Sequence, residues 1–347
     1  MGHDAEIELA DGIDHQVAMV MDLNKCIGCQ TCTLACKNTW TDRSGAEYMY
    51  WNNVETRPGD GYPRDWEGKG GGWKSEERSE RQPGEIPDKA EYGEAWEFDH
   101  EGVLRGDSDE KLAPEGDPEW GPNWDEDQGA GEYPNSYYFY LPRICNHCTH
   151  PTCVEACPRQ AVYKREEDGV VLVDQERCRG YRYCVEGCPY KKIYYNAVTN
   201  RSEKCVFCYP RIEGEGPDDE VHGPACAEQC TTQLRMVGFL DDTDGPIYKL
   251  VEQYEVALPL HPEYETAPNV YYIPPMAPPQ HTEDGETVDV DRIPREYLED
   301  LFGEDVNDAL RTLEREREKV QSGGHSELME ILQDTNPEEQ YRLEVFQ

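Results

Sequence analysis

The chain has 347 residues, 73 acidic against 33 basic side chains, a formal charge of −40 and 15 cysteines. A surface this negative repels phosphate, which excludes nucleic acid and anionic lipid surfaces as partners. No run reaches the ~18 apolar residues of a membrane span, so no direct span is expected. Residues 1–16 have neither a basic start nor an apolar core, so they do not look like a signal peptide.

The acidity is too large for an ordinary acidic protein. Self-repulsion on this scale strains a compact state at low ionic strength, and molar salt screens it over about 3 Å. Only 12 of the 33 basic residues are Lys. The composition therefore predicts adaptation to high salt. The charge is also uneven. Residues 141–240 carry 14 acids against 13 bases, a net −1, and the rest of the chain carries −39. Eleven of the fifteen cysteines lie in that nearly neutral stretch. A bound anionic group there would explain the local supply of cations.

In chain order, residues 17–22 (VAMVMD) predict an alternating strand running into the first cysteine group, Cys26-x2-Cys29-x2-Cys32-x3-Cys36. This is the bacterial ferredoxin spacing, in which three thiolates grip one [4Fe–4S] cluster and the fourth reaches another. Residues 55–134 follow, rich in Gly, Pro, Trp and acid, with little periodicity. A loop that long predicts a functional or partner-wrapping insert. The second group is Cys145-x2-Cys148-x4-Cys153-x3-Cys157-Pro158. Residues 161–164 and 170–174 then bracket an Asp168-Gly169 turn, a hairpin signal.

The third group is Cys178-x5-Cys184-x3-Cys188-Pro189, and it leaves Tyr181 at the middle ligand position. A phenol is no substitute for a thiolate. A cubane with three protein ligands loses its open iron, so this group predicts a [3Fe–4S] cluster. The alternative is a [4Fe–4S] cluster with water or hydroxide at the open corner. Residues 193–196 and 201–204 bracket a second turn, and the fourth group is Cys205-x2-Cys208-x17-Cys226-x3-Cys230. Residues 247–256 predict a helix and 268–279 a Pro-rich extended run. Two or three acidic helices are expected over 294–332, with Leu298, Leu301, Val306, Leu310 and Leu313 on one face.

Fifteen is odd, which counts against paired disulfides, and the x3-Cys tails do not suit zinc. The expected complement is three [4Fe–4S] clusters and one [3Fe–4S] cluster. The nesting of close groups between distant ones predicts an α+β fold of two ferredoxin-like two-cluster modules. The outer module takes 15–54 and 197–243, the inner one 136–196. An irregular insert spans 55–135, and 244–347 form an extended and helical C-terminal region. Lys25, Lys37, Arg143, Arg179, Arg182, Lys191, Lys192 and Lys204 flank the motifs and are candidates for tuning cluster potentials, against a reading as surface ion-pair partners. His147 is a candidate donor to a cluster sulfur or a packing residue; His150 and His261 are expected to be structural.

The stretches at 22–40 (DLNKCIGCQTCTLACKNTW), 48–67 (YMYWNNVETRPGDGYPRDWE), 140–148 (YLPRICNHC), 161–211 and 257–264 (ALPLHPEY) carry a resemblance. Together they resemble the iron–sulfur β subunits of complex molybdoenzymes, the group that contains respiratory nitrate reductase. The resemblance covers most of the chain. In CRGYRYCVEGCPYKK (178–192), the family's usual Trp at the missing-cysteine position is replaced by Tyr181, still aromatic and non-ligating. That departure from a dimethyl-sulfoxide-reductase-like pattern favours the nitrate reductase branch.

The resemblance implies four ligand sets. Cys26, Cys29, Cys32 and Cys230 would hold the [4Fe–4S] cluster nearest the catalytic subunit. Cys205, Cys208, Cys226 and Cys36 would hold the second, and Cys145, Cys148, Cys153 and Cys188 the third. Cys157, Cys178 and Cys184 would hold the [3Fe–4S] cluster nearest the membrane partner. It also implies an electron-transfer subunit with no catalytic residue and no molybdenum cofactor of its own. The implied partners are a molybdenum-cofactor catalytic α subunit and a membrane cytochrome b or equivalent donor. The complex would be peripheral to the membrane, on the extracytoplasmic face by co-export with a twin-arginine partner, or else on the cytoplasmic face. Selenate, chlorate and perchlorate reductases and dimethylsulfide and ethylbenzene dehydrogenases have similar β subunits. A stand-alone polyferredoxin is the rival class.

Overall fold

The structure is a computed structural model, and it describes residues 9–69, 83–88, 90–92, 129–214, 220–334, 336 and 340–343. The strands are β1 (Val17–Asp22), β2 (Asn53–Arg57), β3 (Phe139–Arg143), β4 (Val162–Lys164), β5 (Val171–Val173), β6 (Ile193–Asn196) and β7 (Arg201–Lys204). They continue with β8 (Arg235–Phe239), β9 (Leu258–Pro259), β10 (Val270–Ile273), β11 (Pro279–His281), β12 (Thr287–Asp291) and β13 (Tyr341–Arg342). With short helices between them, this is a mixed α+β fold.

One five-stranded sheet organises the core, in the order β13-β8-β1-β10-β9. β1 lies antiparallel to β8 and parallel to β10, with Met19 opposite both Val237 and Val270. Every residue of β1 is buried, so its two faces are both covered and its burial does not alternate. β10 falls inside the Pro-rich run expected to be merely extended. Its VYYI core pairs freely because Pro268, Pro274 and Pro275 flank it rather than interrupt it. The C-terminal region thus completes the same sheet as the N-terminal strand, and strand pairing crosses the boundary drawn at 244.

Both expected hairpins form, β4 with β5 and β6 with β7. The helices expected near the C-terminus are Arg295–Phe302, Val306–Gln321 and Glu327–Gln333. Their apolar faces, including Leu298, Leu301, Val306, Leu310 and Leu313, are buried, and Phe302 lies against Tyr272 of β10. They are core contacts.

The start of the expected insert is built into the core. β2 pairs with β3, and Tyr62 and Trp66 are fully buried. The Arg143 guanidinium lies 3.6 Å from the Trp66 ring centroid and 2.6 Å from Glu55. The acidic remainder at 70–82 and 93–128, where a partner contact was expected, lies outside the described residues. No helix among the described residues is long and apolar enough to cross a membrane.

Candidate iron–sulfur centres

The first cysteine loop turns sharply because Gly28 has φ +67° and sits under Tyr140; a Cβ there would fall 2.6 Å from the ring. The loop then enters helix Thr31–Cys36 through Gln30 at φ 57°. The same left-handed entry recurs at Arg182 before helix Tyr183–Gly187 and at Cys208 before helix Tyr209–Ile212. Each such non-glycine residue costs about 1–3 kcal/mol and persists only where its surroundings impose it. The short helices then pair across sequence. Thr31–Cys36 packs on Ala225–Glu228, and Thr152–Glu155 packs on Tyr183–Gly187.

These pairings gather distant thiols. Cys26 has Cys32 and Cys230 as charge neighbours, and Cys29 lies 3.3 Å from the hydroxyl of Thr231 beside Cys230. Cys36, buried, neighbours Cys205, Cys226 and Cys208. Cys153 neighbours Cys188, Cys145 and Cys148. Cys184 neighbours Cys157 and Cys178. Charge neighbours also run between the sets: Cys226 senses Cys32, and Cys205 senses Cys145. Exposure is greatest at one end, where Cys29 is the single exposed cysteine.

All fifteen thiols are free of disulfides. Burial, reinforced by neighbouring thiols, pushes Cys26 and Cys148 up to about 12. Burial does the same to Cys226, also to about 12, and drives Cys36 far above the usual thiol range. As bare thiols these groups would stay protonated at neutral pH. A metal that displaces the proton removes that cost, and loading releases protons.

The donors around the sulfurs fit bound clusters. Trp40 Nε1 donates to Cys208 at 3.1 Å and the Arg235 guanidinium to Cys226 at 3.3 Å. Backbone N–H groups of Ala161, Ser202 and Phe207 point at Cys157, Cys178 and Cys205 at 3.3–3.4 Å. A neutral thiol is a weak acceptor, whereas metal-bound sulfur is a good one. His147 is buried, and its Nδ1 accepts from the Val171 amide at 3.1 Å. That fixes the proton on Nε2, a buried donor with no protein partner, and a cluster sulfur would satisfy it. No three His, Cys, Asp or Glu side chains among the described residues converge tightly enough to hold one metal ion.

The flanking cations separate into two groups. Lys191, Lys192, Lys204 and Arg143 are buried. Lys192 donates to Asn53, and burial lowers it to about 7 with Cys36 and Cys188 both nearby. Lys191 donates to the Glu186 carbonyl, and Lys204 to the carbonyls of Val171 and Cys205. Arg179 and Arg182 are exposed; Arg179 bonds the carbonyls of Glu176 and Cys178, and Arg182 lies over the Tyr195 ring. Lys25 is half-buried, and Lys37 donates to the carbonyls of Glu47 and Met49. Tyr181 is 58% exposed. Arg235 was missed as a tuning candidate, though it is wholly buried and lies among Cys226, Cys32, Cys230 and Cys26. Its position five residues after Cys230 was the available signal.

Residues 136–240 match the 4Fe-4S dicluster domain family. The respiratory nitrate reductase subunit beta of Haloferax mediterranei is 76% identical over 99% of this chain and 98% of its own length. The chain belongs to the nitrate reductase β-subunit family. The relatives extend to the dimethylsulfide dehydrogenase subunit beta of Rhodovulum sulfidophilum, 57% identical over 92% of this chain and 96% of that one. They also include the respiratory nitrate reductase 1 beta chain of Escherichia coli, 36% identical over 87% and 79%. As in that family, the chain is an iron–sulfur electron-transfer subunit.

Proposed function

We propose that this chain carries electrons through three [4Fe–4S] clusters and one [3Fe–4S] cluster inside a respiratory nitrate reductase. The observation that supports this reading best is the approach of thiols from different motifs, with Cys36 beside Cys205, Cys208 and Cys226, Cys32 beside Cys226, and Cys145 beside Cys205. When bound, the clusters supply one-electron carriage. The ligand sets are Cys26, Cys29, Cys32 and Cys230; Cys36, Cys205, Cys208 and Cys226; Cys145, Cys148, Cys153 and Cys188; and Cys157, Cys178 and Cys184. The helix pairings across sequence support the nested arrangement of two modules, sharing one sheet with the C-terminal region.

The protein's own residues then insulate and bias the path. Buried Lys191 and Lys204 place positive charge beside the sulfurs, and Lys192 adds to it when protonated, which favours reduced clusters. Tyr181 withholds a fourth thiolate. The exposed Cys29 end faces a molybdenum-cofactor catalytic subunit, and the Cys157–Cys178–Cys184 end faces a membrane cytochrome b or equivalent donor. Nitrate is the substrate favoured by 76% identity to the Haloferax mediterranei protein, against 51–57% for the dimethylsulfide, selenate, chlorate and perchlorate relatives. The complex sits on the membrane periphery, on the outer face by co-export with a twin-arginine partner.

The complex purified in air should show the low-temperature EPR signal of an oxidised [3Fe–4S] cluster. Tyr181→Cys should abolish most of that signal by completing a four-thiolate site. Zinc without iron in the purified chain, or an EPR signal indifferent to Tyr181→Cys, defeats the proposal. Viologen-linked reduction of nitrate but not selenate or chlorate by the same preparation tests the substrate.

A further inference from the structure

Arg235 opens β8 beside the central strand β1, opposite its Met21, and is 0% exposed. One guanidinium nitrogen donates to Cys226 Sγ at 3.3 Å, with Met19 Sδ at 3.7 Å. The other terminal nitrogen donates to Asn52 Oδ1 at 2.7 Å, and Asn52 in turn donates to Thr33 Oγ1 in helix Thr31–Cys36. None of the ion pairs seen among the described residues includes Arg235. An arginine cannot shed its charge, and an unpaired buried charge is strongly destabilising. Arg143 and Arg57 show the contrast, since both lie against the buried carboxylate of Glu55.

The anions that compensate Arg235 are therefore the sulfurs around it. They belong to two different sets: Cys226 to one, and Cys26, Cys32 and Cys230 to the other. A cluster gains negative charge when it takes an electron, and a fixed cation beside it favours that gain. Because the cation is shared, it acts on both clusters at once. We propose that Arg235 sets the reduction potentials of the first and second clusters jointly, as a charge held between them. This rests on the cluster reading above. Lys192 is no equivalent, because Glu55 shares its surroundings.

The test is an EPR-monitored redox titration of the assembled complex carrying Arg235→Gln or Arg235→Lys. In Arg235→Gln both first and second clusters should become harder to reduce. At a fixed potential the reduced-to-oxidised ratio of each should fall at least tenfold, which is 59 mV for one electron. The third and fourth clusters should not move, and Arg235→Lys should recover most of the shift. Unmoved potentials at both clusters, or a shift only at the cluster held by Cys226, overturns the proposal. Where Arg235→Gln fails to retain those two clusters, Arg235→Lys decides. Full iron and near-native potentials in the lysine variant uphold the charge role, and equal loss overturns it. Absence of iron and sulfide from the unmutated complex would defeat the cluster reading itself, which is a separate result.

Discussion

Cys36 shows how much one residue's position can carry. It ends the helix that begins among the thiols of the first set, yet its own neighbours are Cys205, Cys226 and Cys208. The x3 spacing after Cys32 advances the chain by about one helical turn, enough to leave one cluster's reach and enter the next. Cys36→Ala should therefore cost one [4Fe–4S] cluster's iron and remove the second cluster's EPR signal while the first persists. Loss of the first signal instead would mean the ligand sets are wrongly drawn. Such local spacing was legible because each proposed set draws two or three of its thiolates from one short stretch of chain. Arg235 was not, because the sulfurs around it come from both ends of a long loop of chain.

At the scale of elements, the two hairpins were legible from the turn signals between their strands, and β1 from its apolar run. The two hairpins at 162–173 and 193–204 follow those signals closely. The place of β10 in the sheet was not, since pairing beside β1 is a long-range choice that prolines only frame. The join between insert and C-terminal region was equally hidden. There, His261 is held between Glu263 at 2.7 Å and Glu67 at 3.4 Å, against the edge of Trp66. Burial opposes the imidazolium, but the two carboxylates outweigh it and raise the histidine above 6.5. The group thus binds its proton more tightly when folded. Its contribution is full below about 6.5 and is lost as pH rises through the higher folded value. Since Glu263 is half exposed, that contribution is about 1 kcal/mol or less. The melting temperature of the native complex should exceed that of His261→Gln near pH 6, and the gap should close by pH 8.5. A gap that widens with pH would contradict this.

For the whole molecule, the −40 charge sets the working conditions. Much of it lies outside the nearly neutral block that holds three of the cysteine groups, so the repulsion acts mostly across the surface. Screening shortens from about 10 Å at 0.1 M salt to about 3 Å at 1 M. The thermal unfolding midpoint should rise steadily with KCl over that range. A flat or falling midpoint would remove the case for salt adaptation.

The nesting also has a consequence during biosynthesis. The chain emerges from the ribosome from its N-terminus, at a modest pace. On the proposed ligand sets, Cys157 meets Cys178 and Cys184 soon after all three are made, and Cys145 meets Cys188. Cys26, Cys29, Cys32 and Cys36 must wait for Cys205 to Cys230 to arrive. Even then their supporting sheet is complete only once β10 has been translated. The earliest cysteines are thus the last to be filled, and a nascent chain arrested before Cys205 would hold iron only at its second and third motifs.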